Sequence, residues 1–269
     1  MSERPIAARA SALRPCPVCG RTSSCSVTDD GLHFCMSNSA GAEWKRIGDM
    51  DKQGFYHYRK ADNGREKEAK KFVKNLTSER REELANALML PVASLDALPD
   101  LGFNLAEGCW TFPEVDGAGR VIGLMRRYAD GRKLSAPGWK RGLTVPAILP
   151  SGPLHIVEGA TDVLAFTLCG LAAIGRPGAR AGLDLLVEFI SRCPERKIIL
   201  CGENDQRPNK KDPTVIDWPG KDGVDQLGPQ LANALGRSVW TVFPPAGVKD
   251  FRAWVVALVA GTPRIGGPG

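Results

Sequence analysis

The sequence predicts an α/β protein in three blocks: a small cysteine-bearing amino-terminal module, a mixed antiparallel basic subdomain, and a Rossmann-like domain built on a parallel sheet. Three observations predict it. Four cysteines crowd into residues 16–35, in a block short of aliphatic side chains. Short apolar pieces between 90 and 150 are split by the turn signals "DGAG" and "ADGR". From 151 onward, continuous apolar runs alternate four times with amphipathic helical patterns, as in a parallel sheet covered on both faces.

The bulk properties are those of an ordinary globular chain: 269 residues, 43% hydrophobic and 25% charged. No run approaches the roughly 18 apolar residues of a membrane span, so no membrane partner is expected. The opening "MSERPIAARASALRP" has no apolar signal core, and a cytoplasmic location is the expectation. The net charge of +6 says little by itself. Its distribution says more. Residues 120–141 hold seven basic side chains and one acid, a local field suited to a polyanion or to a solvated hairpin face.

The blocks follow in order. Residues 1–60 cannot build much of a core from their own apolar groups. Residues 61–89 include "NGREKEAKKFVKNLTSERREELANAL", nearly free of Gly and Pro, and predict one or two exposed helices as a charged linker. Residues 90–150 predict a small antiparallel sheet with a basic face. In 151–262 the strands are "LHIVEG", "AAIGRPG", "RKIILCGEND" and "RSVWTVFPP". The helices are "TDVLAFTLCGL", "GLDLLVEFISRC", "GVDQLGPQLANALG" and "KDFRAWVVALVAG". The tail, 263–269, is expected to be disordered.

"CPVCGRTSSCSVTDDGLHFC" places Cys16, Cys19, Cys25 and Cys35 in metal-ligand spacing. A Cys-x-x-Cys pair ahead of Gly20 forms a knuckle, and two more thiols follow around a hairpin through "DDG". Four thiolates suit a closed, structural Zn²⁺ site, making the module zinc-ribbon-like. His33 is an alternative ligand in place of Cys25 or Cys35. A redox Cys-x-x-Cys pair is the competing reading, but it belongs between a strand and a helix. The other four cysteines are scattered among apolar segments and read as buried thiols.

In an open parallel sheet, ligands gather beyond the carboxyl ends of the strands. Glu158 ends the first strand, and Asp162 opens the helix after it. Glu203 and Asp205 follow the third strand, and Asp250 follows the fourth. Any one of these has a plain explanation: Asp162 and Asp250 suit helix N-termini, and Glu203 or Asp205 a turn. Jointly they suit a hard cation such as Mg²⁺ or Mn²⁺.

"IVEGATDVLAF", "IILCGEND" and "PPAGVKDFRAW" resemble the TOPRIM domain of DnaG-type primases and topoisomerases over residues 152–262. The block before it, with "FP…DG…GRVIGL…R…DGRK", resembles the amino-terminal part of a primase core. A zinc module ahead of both completes the primase order, so the resemblance covers nearly the whole chain. The zinc spacing looks more like phage or plasmid forms, which points to a mobile element and a primosome. Two departures stand out. The Asp-x-Asp pair of the family reads Glu-Asn-Asp here. The glycine behind it is displaced by "QRPNKKDPTVIDWP", which offers Asp222 as an additional acid.

The resemblance implies template-directed synthesis of short RNA primers on single-stranded DNA from nucleoside triphosphates. It implies two Mg²⁺ or Mn²⁺ ions held by Glu158, Glu203, Asp205 and Asp250, with Asp162 in support or coordinating directly and Glu158 as general base or as the group that orients it. Lys249 is the implied triphosphate contact. Arg126, Arg127, Lys133, Lys140 and Arg141 are the implied holders of template phosphates or the nucleotide. Phe34 and Trp44 are candidates for stacking on unpaired bases, or for packing within the zinc module. A replicative helicase is a further expected partner, because no phosphate-loop motif is present in the chain itself. The rival readings are a TOPRIM nuclease and a non-catalytic single-stranded-DNA-binding or loading module. A topoisomerase fits poorly, with only Tyr56, Tyr58 and Tyr128 as nucleophiles and no large strand-passage domain.

Overall fold

A computed structural model describes residues 6–12, 15–28, 32–40, 44–60 and 64–261. They form two units, divided between Gly64 and Arg65. The "DDG" turn and the tail 263–269 lie outside the described residues.

The first unit is five short strands: β1 (Ile6–Arg9), β2 (Ser26–Thr28), β3 (His33–Cys35), β4 (Trp44–Arg46) and β5 (Tyr56–Lys60). They form one antiparallel sheet in the order β1-β2-β3-β5-β4. Its buried cluster is Cys16, Val18, Cys25, Cys35, Trp44 and Tyr58. Three of those six are cysteines, so apolar burial supplies little of this unit's stability.

The second unit opens with α1 (Arg65–Val73) and α2 (Ser78–Leu88). Thr77 caps α2 by accepting the Arg80 N–H at 3.4 Å. The charged segment is thus two helices, but not a free-standing linker. Leu84, Ala85 and Leu88 form a stripe at i, i+1 and i+4 that is buried in the main core, while Ala69 and Phe72 of α1 pack with Leu124. A 3₁₀ turn (Val92–Ala97) leads to the second antiparallel sheet, β6 (Gly102–Asn104), β7 (Cys109–Val115), β8 (Val121–Tyr128) and β9 (Lys133–Ser135), in sequence order.

The remainder alternates as expected: β10 (Leu154–Glu158), α3 (Ala160–Leu168), β11 (Ala173–Arg176), α4 (Leu183–Ile190), β12 (Ile198–Cys201), a small hairpin of β13 (Arg207–Pro208) and β14 (Ile216–Asp217), α5 (Pro219–Leu235), β15 (Val239–Val242) and α6 (Phe251–Val259). The sheet is parallel throughout, in the order β11-β10-β12-β15. Side-chain alternation divides its residues between two cores. Leu154, Ile156, Ile198 and Leu200 pack with Leu186, Leu227 and Leu231 of α4 and α5. Val157 and Cys201 pack on the other face with Val163 and Phe251 of α3 and α6. Trp110 and Phe112 of β7 enter that second core, joining the antiparallel sheet to the parallel one.

Ile156 is fully buried at the centre of the first of these cores. Ile156→Ala should cost about 2–5 kcal/mol of unfolding free energy in a urea titration. Ile148→Ala, at a side chain 75% exposed, should stay within about 0.5 kcal/mol of the parent.

Candidate metal centre and acid cluster

The four cysteines meet. Cys16 and Cys19 flank a turn closed by the Gly20 N–H donating to the Cys16 carbonyl at 2.7 Å. Cys25 immediately precedes β2, and Cys35 ends β3. Their sulfurs lie within 4.8 Å of one another, with separations of 3.7 Å (Cys19–Cys25), 3.8 Å (Cys25–Cys35) and 4.0 Å (Cys16–Cys35). Thiolates about 2.3 Å from one tetrahedral zinc ion stand about 3.8 Å apart, whereas a disulfide needs about 2.05 Å. The donor set therefore fits zinc. The Ser37 N–H points at the Cys35 sulfur at 3.4 Å, and burial pushes the Cys35 thiol up, so a cation is what would make it a thiolate. His33 is not in the set. Its ring lies edge-on to Trp44 at 4.7 Å. Trp44 is itself buried in the module, so it packs rather than offering a face to a base. Phe34 is half-buried against His57, with ring centroids 4.5 Å apart.

In the second unit, four of the five predicted acids form one electrostatic group. Glu158 is the last residue of β10, and Gly159, at φ 83°, turns the chain into α3. That turn sets Asp162 in the first turn of α3, where it is buried and accepts the Arg252 N–H at 3.0 Å. Asp250 caps α6 by accepting the Ala253 N–H at 2.8 Å. Asp250 therefore serves the helix terminus that the plain reading assigned it, whereas Asp162 serves the terminus of α6 and not that of its own helix α3. They also repel each other. Burial first, and the Asp250 charge second, push the Asp162 carboxyl up to about 7. Glu203 is pushed up to about 8 by burial, then by the charges of Glu158, Asp162 and Asp250. Glu158 and Glu203 are the members whose oxygens accept no bond from a helix terminus. Among the described residues the group spaced to hold a metal ion is the four cysteines, and the acids are not spaced in that way.

Asp205 is placed differently. Its Oδ1 accepts the Gly220 N–H at 2.7 Å, at the start of α5. A side chain at Gly220 would sit 2.5 Å from the Glu203 carbonyl oxygen, so only glycine lets α5 come this close. The middle residue, Asn204, is a tie that sequence reasoning missed. Its amide nitrogen reaches the carbonyls of Pro244 (2.9 Å), Pro245 (3.1 Å) and Val248 (2.9 Å), and its backbone N–H donates to Lys249 at 2.7 Å. This locks the end of β12 to the segment that carries Asp250. Asp222 pairs with Arg180 at 3.3 Å on the surface and takes no part in the acid group.

The basic strands sort by parity. Arg127 of β8 and Lys133 of β9 are directly opposite partners. Lys133 retains contact with solvent, yet desolvation is the main influence on it. Burial and the Arg127 charge lower it, while Asp162 and Glu203 hold it up. Arg127 is lowered by burial and by Arg252, and its buried Nε has no hydrogen-bond partner. Lys133 therefore shares one field with the acids, as does Lys249, whose charge lowers Glu203, and Arg127 joins them through Lys133 and Arg252. Arg126 is engaged elsewhere, with Glu107 and with the Ser135 carbonyl at 3.0 Å. Arg141 chelates the buried Glu114 through bonds of 3.0–3.2 Å. Lys140 is exposed, and its backbone N–H donates to Ile122 at 3.1 Å. Two further cations escaped sequence reasoning. Arg252 lies 3.9 Å from Asp250, and its signal was its place in "KDFR". Arg176 lies 3.6 Å from Glu158.

Two measurements follow. The chain should carry about one zinc ion. Stripping it, or Cys35→Ser, should expose residues 6–60 to protease while 65–261 keeps its cooperative unfolding. The second concerns pH. Asp162 holds its proton more tightly in the folded chain than at the ordinary 3.8. Between about pH 4 and pH 7 the folded state is thus the more protonated, and its stability falls as pH rises. Asp162→Asn keeps an oxygen for the Arg252 N–H and should flatten that fall by an amount on the order of a few kcal/mol. Urea midpoints at about pH 5 and pH 7.5, without added Mg²⁺, give the comparison.

No family model and no curated protein matches the chain. Solved structures do. A DnaG catalytic core is similar with a TM-score of 0.51 at 16% identity, over 73% of this chain and 74% of that one. The zinc-binding and RNA polymerase domains of the Aquifex aeolicus primase match at 0.51 and 16% identity, over 70% of this chain and 55% of theirs. The E. coli primase catalytic core matches at 0.50 and 17% identity, over 71% and 74%. With parallel β10–β12–β15 bearing the acids and β6–β9 bearing Arg127 and Lys133, the chain has the fold of a DnaG-type primase catalytic core, alongside a four-cysteine module.

Proposed function

We propose that the chain is a DNA primase, which makes short RNA primers on single-stranded DNA by metal-dependent nucleotidyl transfer. One observation carries the reading: Glu158, Asp162, Glu203 and Asp250 come from three separate segments at the carboxyl edge of the parallel sheet, and burial together with the charges of their neighbours raises the proton affinity of Asp162 and Glu203, while Lys133 of the antiparallel sheet feels those two. Acids so placed are a poor arrangement for stability and a good one for a cation. Mg²⁺ or Mn²⁺ held by Glu158, Glu203 and Asp250 would supply charge neutralisation at the reacting phosphate.

The chain's own residues do the rest. Asp162 and Asp250 are fixed by the α6 terminus and give the site a rigid floor. Glu158 accepts the proton of the attacking 3′-hydroxyl, or orients the group that does. Lys249, Arg127 and Lys133 bind the triphosphate and the template phosphates, giving position rather than sequence choice. Arg126 and Arg141 have carboxylate partners already and contribute through the shape of the basic sheet. Asp205 acts through Gly220, holding α5 against the site. Any preference for template sequence belongs to the zinc module. The chain lies in the cytoplasm and works with a separate replicative helicase.

A second reading, a non-catalytic loading module that grips single-stranded DNA, draws on the engagement of Asp205 at α5. Incubation with single-stranded DNA, labelled nucleoside triphosphates and Mg²⁺ or Mn²⁺ separates them. Primers of defined length are the expected product, and Glu158→Gln should reduce synthesis by at least about 100-fold while leaving DNA affinity unchanged. Equal loss of both would favour the loading module, and strand cleavage without incorporation would mark a nuclease.

A further inference from the structure

Arg176 is the charged group that packing explains least. It is 1% exposed, and its Nε and both terminal nitrogens have no hydrogen-bond partner. A guanidinium stays charged in proteins, so burial lowers its affinity for the proton without removing the charge. The carboxylate that faces it is Glu158, at 3.6 Å, and the two are direct partners across β10 and β11. The approach is built into the backbone. A side chain at Gly175 would fall 2.8 Å from the Gly159 carbonyl oxygen, so glycine alone lets β11 lie against the turn that follows Glu158.

A buried ion pair is a weak source of stability, and an apolar residue of similar size often serves as well or better. The charge at 176 is therefore poorly accounted for by folding. It is also unsuited to gripping a ligand directly, because the side chain is inaccessible.

The geometry points to Arg176 as a positioning residue: from beneath the sheet edge it holds the Glu158 carboxylate in the orientation that presents its other oxygen to a divalent cation. This rests on the reading of the acids as a cation site and adds the group that aims Glu158, an acid no helix cap restrains. Neither the interaction nor its consequence requires Arg176 to touch substrate.

The test compares Arg176→Met and Arg176→Lys with the parent in the full zinc-loaded chain. Mn²⁺ binding is followed by electron paramagnetic resonance and thermal unfolding by calorimetry. Arg176→Met should keep or raise the unfolding temperature and bind Mn²⁺ about 10-fold more weakly. Arg176→Lys, which keeps the charge and loses the planar fork, should fall between. In primer synthesis the loss should appear in kcat, with KM for nucleotide little changed. Mn²⁺ binding that is unchanged or tighter in Arg176→Met would overturn the proposal, since removal of a merely competing cation has that effect. Should Arg176→Met fail to fold, Arg176→Lys alone decides, with parental Mn²⁺ affinity counting against positioning. A parent that binds Mn²⁺ but makes no primers would remove the polymerase reading and leave the role of Arg176 standing. A parent that binds no Mn²⁺ would remove both.

Discussion

Four carboxylates held near one another in a poorly solvated place are the constraint around which the second unit is arranged. Like charges so placed cannot all ionise cheaply. Asp162 and Glu203 respond with raised proton affinity. The fold accepts this because each acid sits where the backbone has little freedom: at a strand end, in a helix first turn, or at a cap. Asn204 ties two of these segments together through three carbonyls, so the repulsion cannot be relieved by letting the loops drift apart. Basic groups from the second sheet, from α6 and from β11 surround the acids without occupying the same point.

The zinc module obeys a different logic. Its sheet is five strands of three to five residues, and half of its small core is sulfur. Metal coordination by the four cysteines would stand in for the apolar burial that so short a segment cannot provide. The second unit, with two leucine-rich cores, has no such need.

Much of this was legible in the residues. The parallel strands were visible because each is a short apolar run ending in a turn signal, and strand ends then located Glu158 and Glu203. The Cys₄ site was visible because its spacing has few other uses. Other features depend on geometry that a linear reading does not carry. Arg126 and Arg127 are neighbours in sequence, yet a strand sends them to opposite faces, and only the ladder shows which face meets the acids. Asp205 lies two residues from Glu203 but spends its carboxylate on α5, whose approach is set by Gly220. The charges of residues 65–88 obscured the stripe of Leu84, Ala85 and Leu88 that buries α2. Arg176 gave no signal, because its importance comes from a cross-strand register with Glu158, 18 residues earlier in the sequence and one ladder step away in space.

The cap made by Asp250 has a consequence for comparing this chain with its relatives. The same carboxylate terminates a helix and contributes charge to the cluster, so drift at that position is penalised twice. A descendant that had abandoned chemistry altogether would still be under pressure to retain aspartate there, for folding alone. Its presence in a distant homologue is thus a poor diagnostic of catalytic competence. On the proposed reading, Glu158, which anchors no helix, is the position whose erosion would betray a degenerate copy.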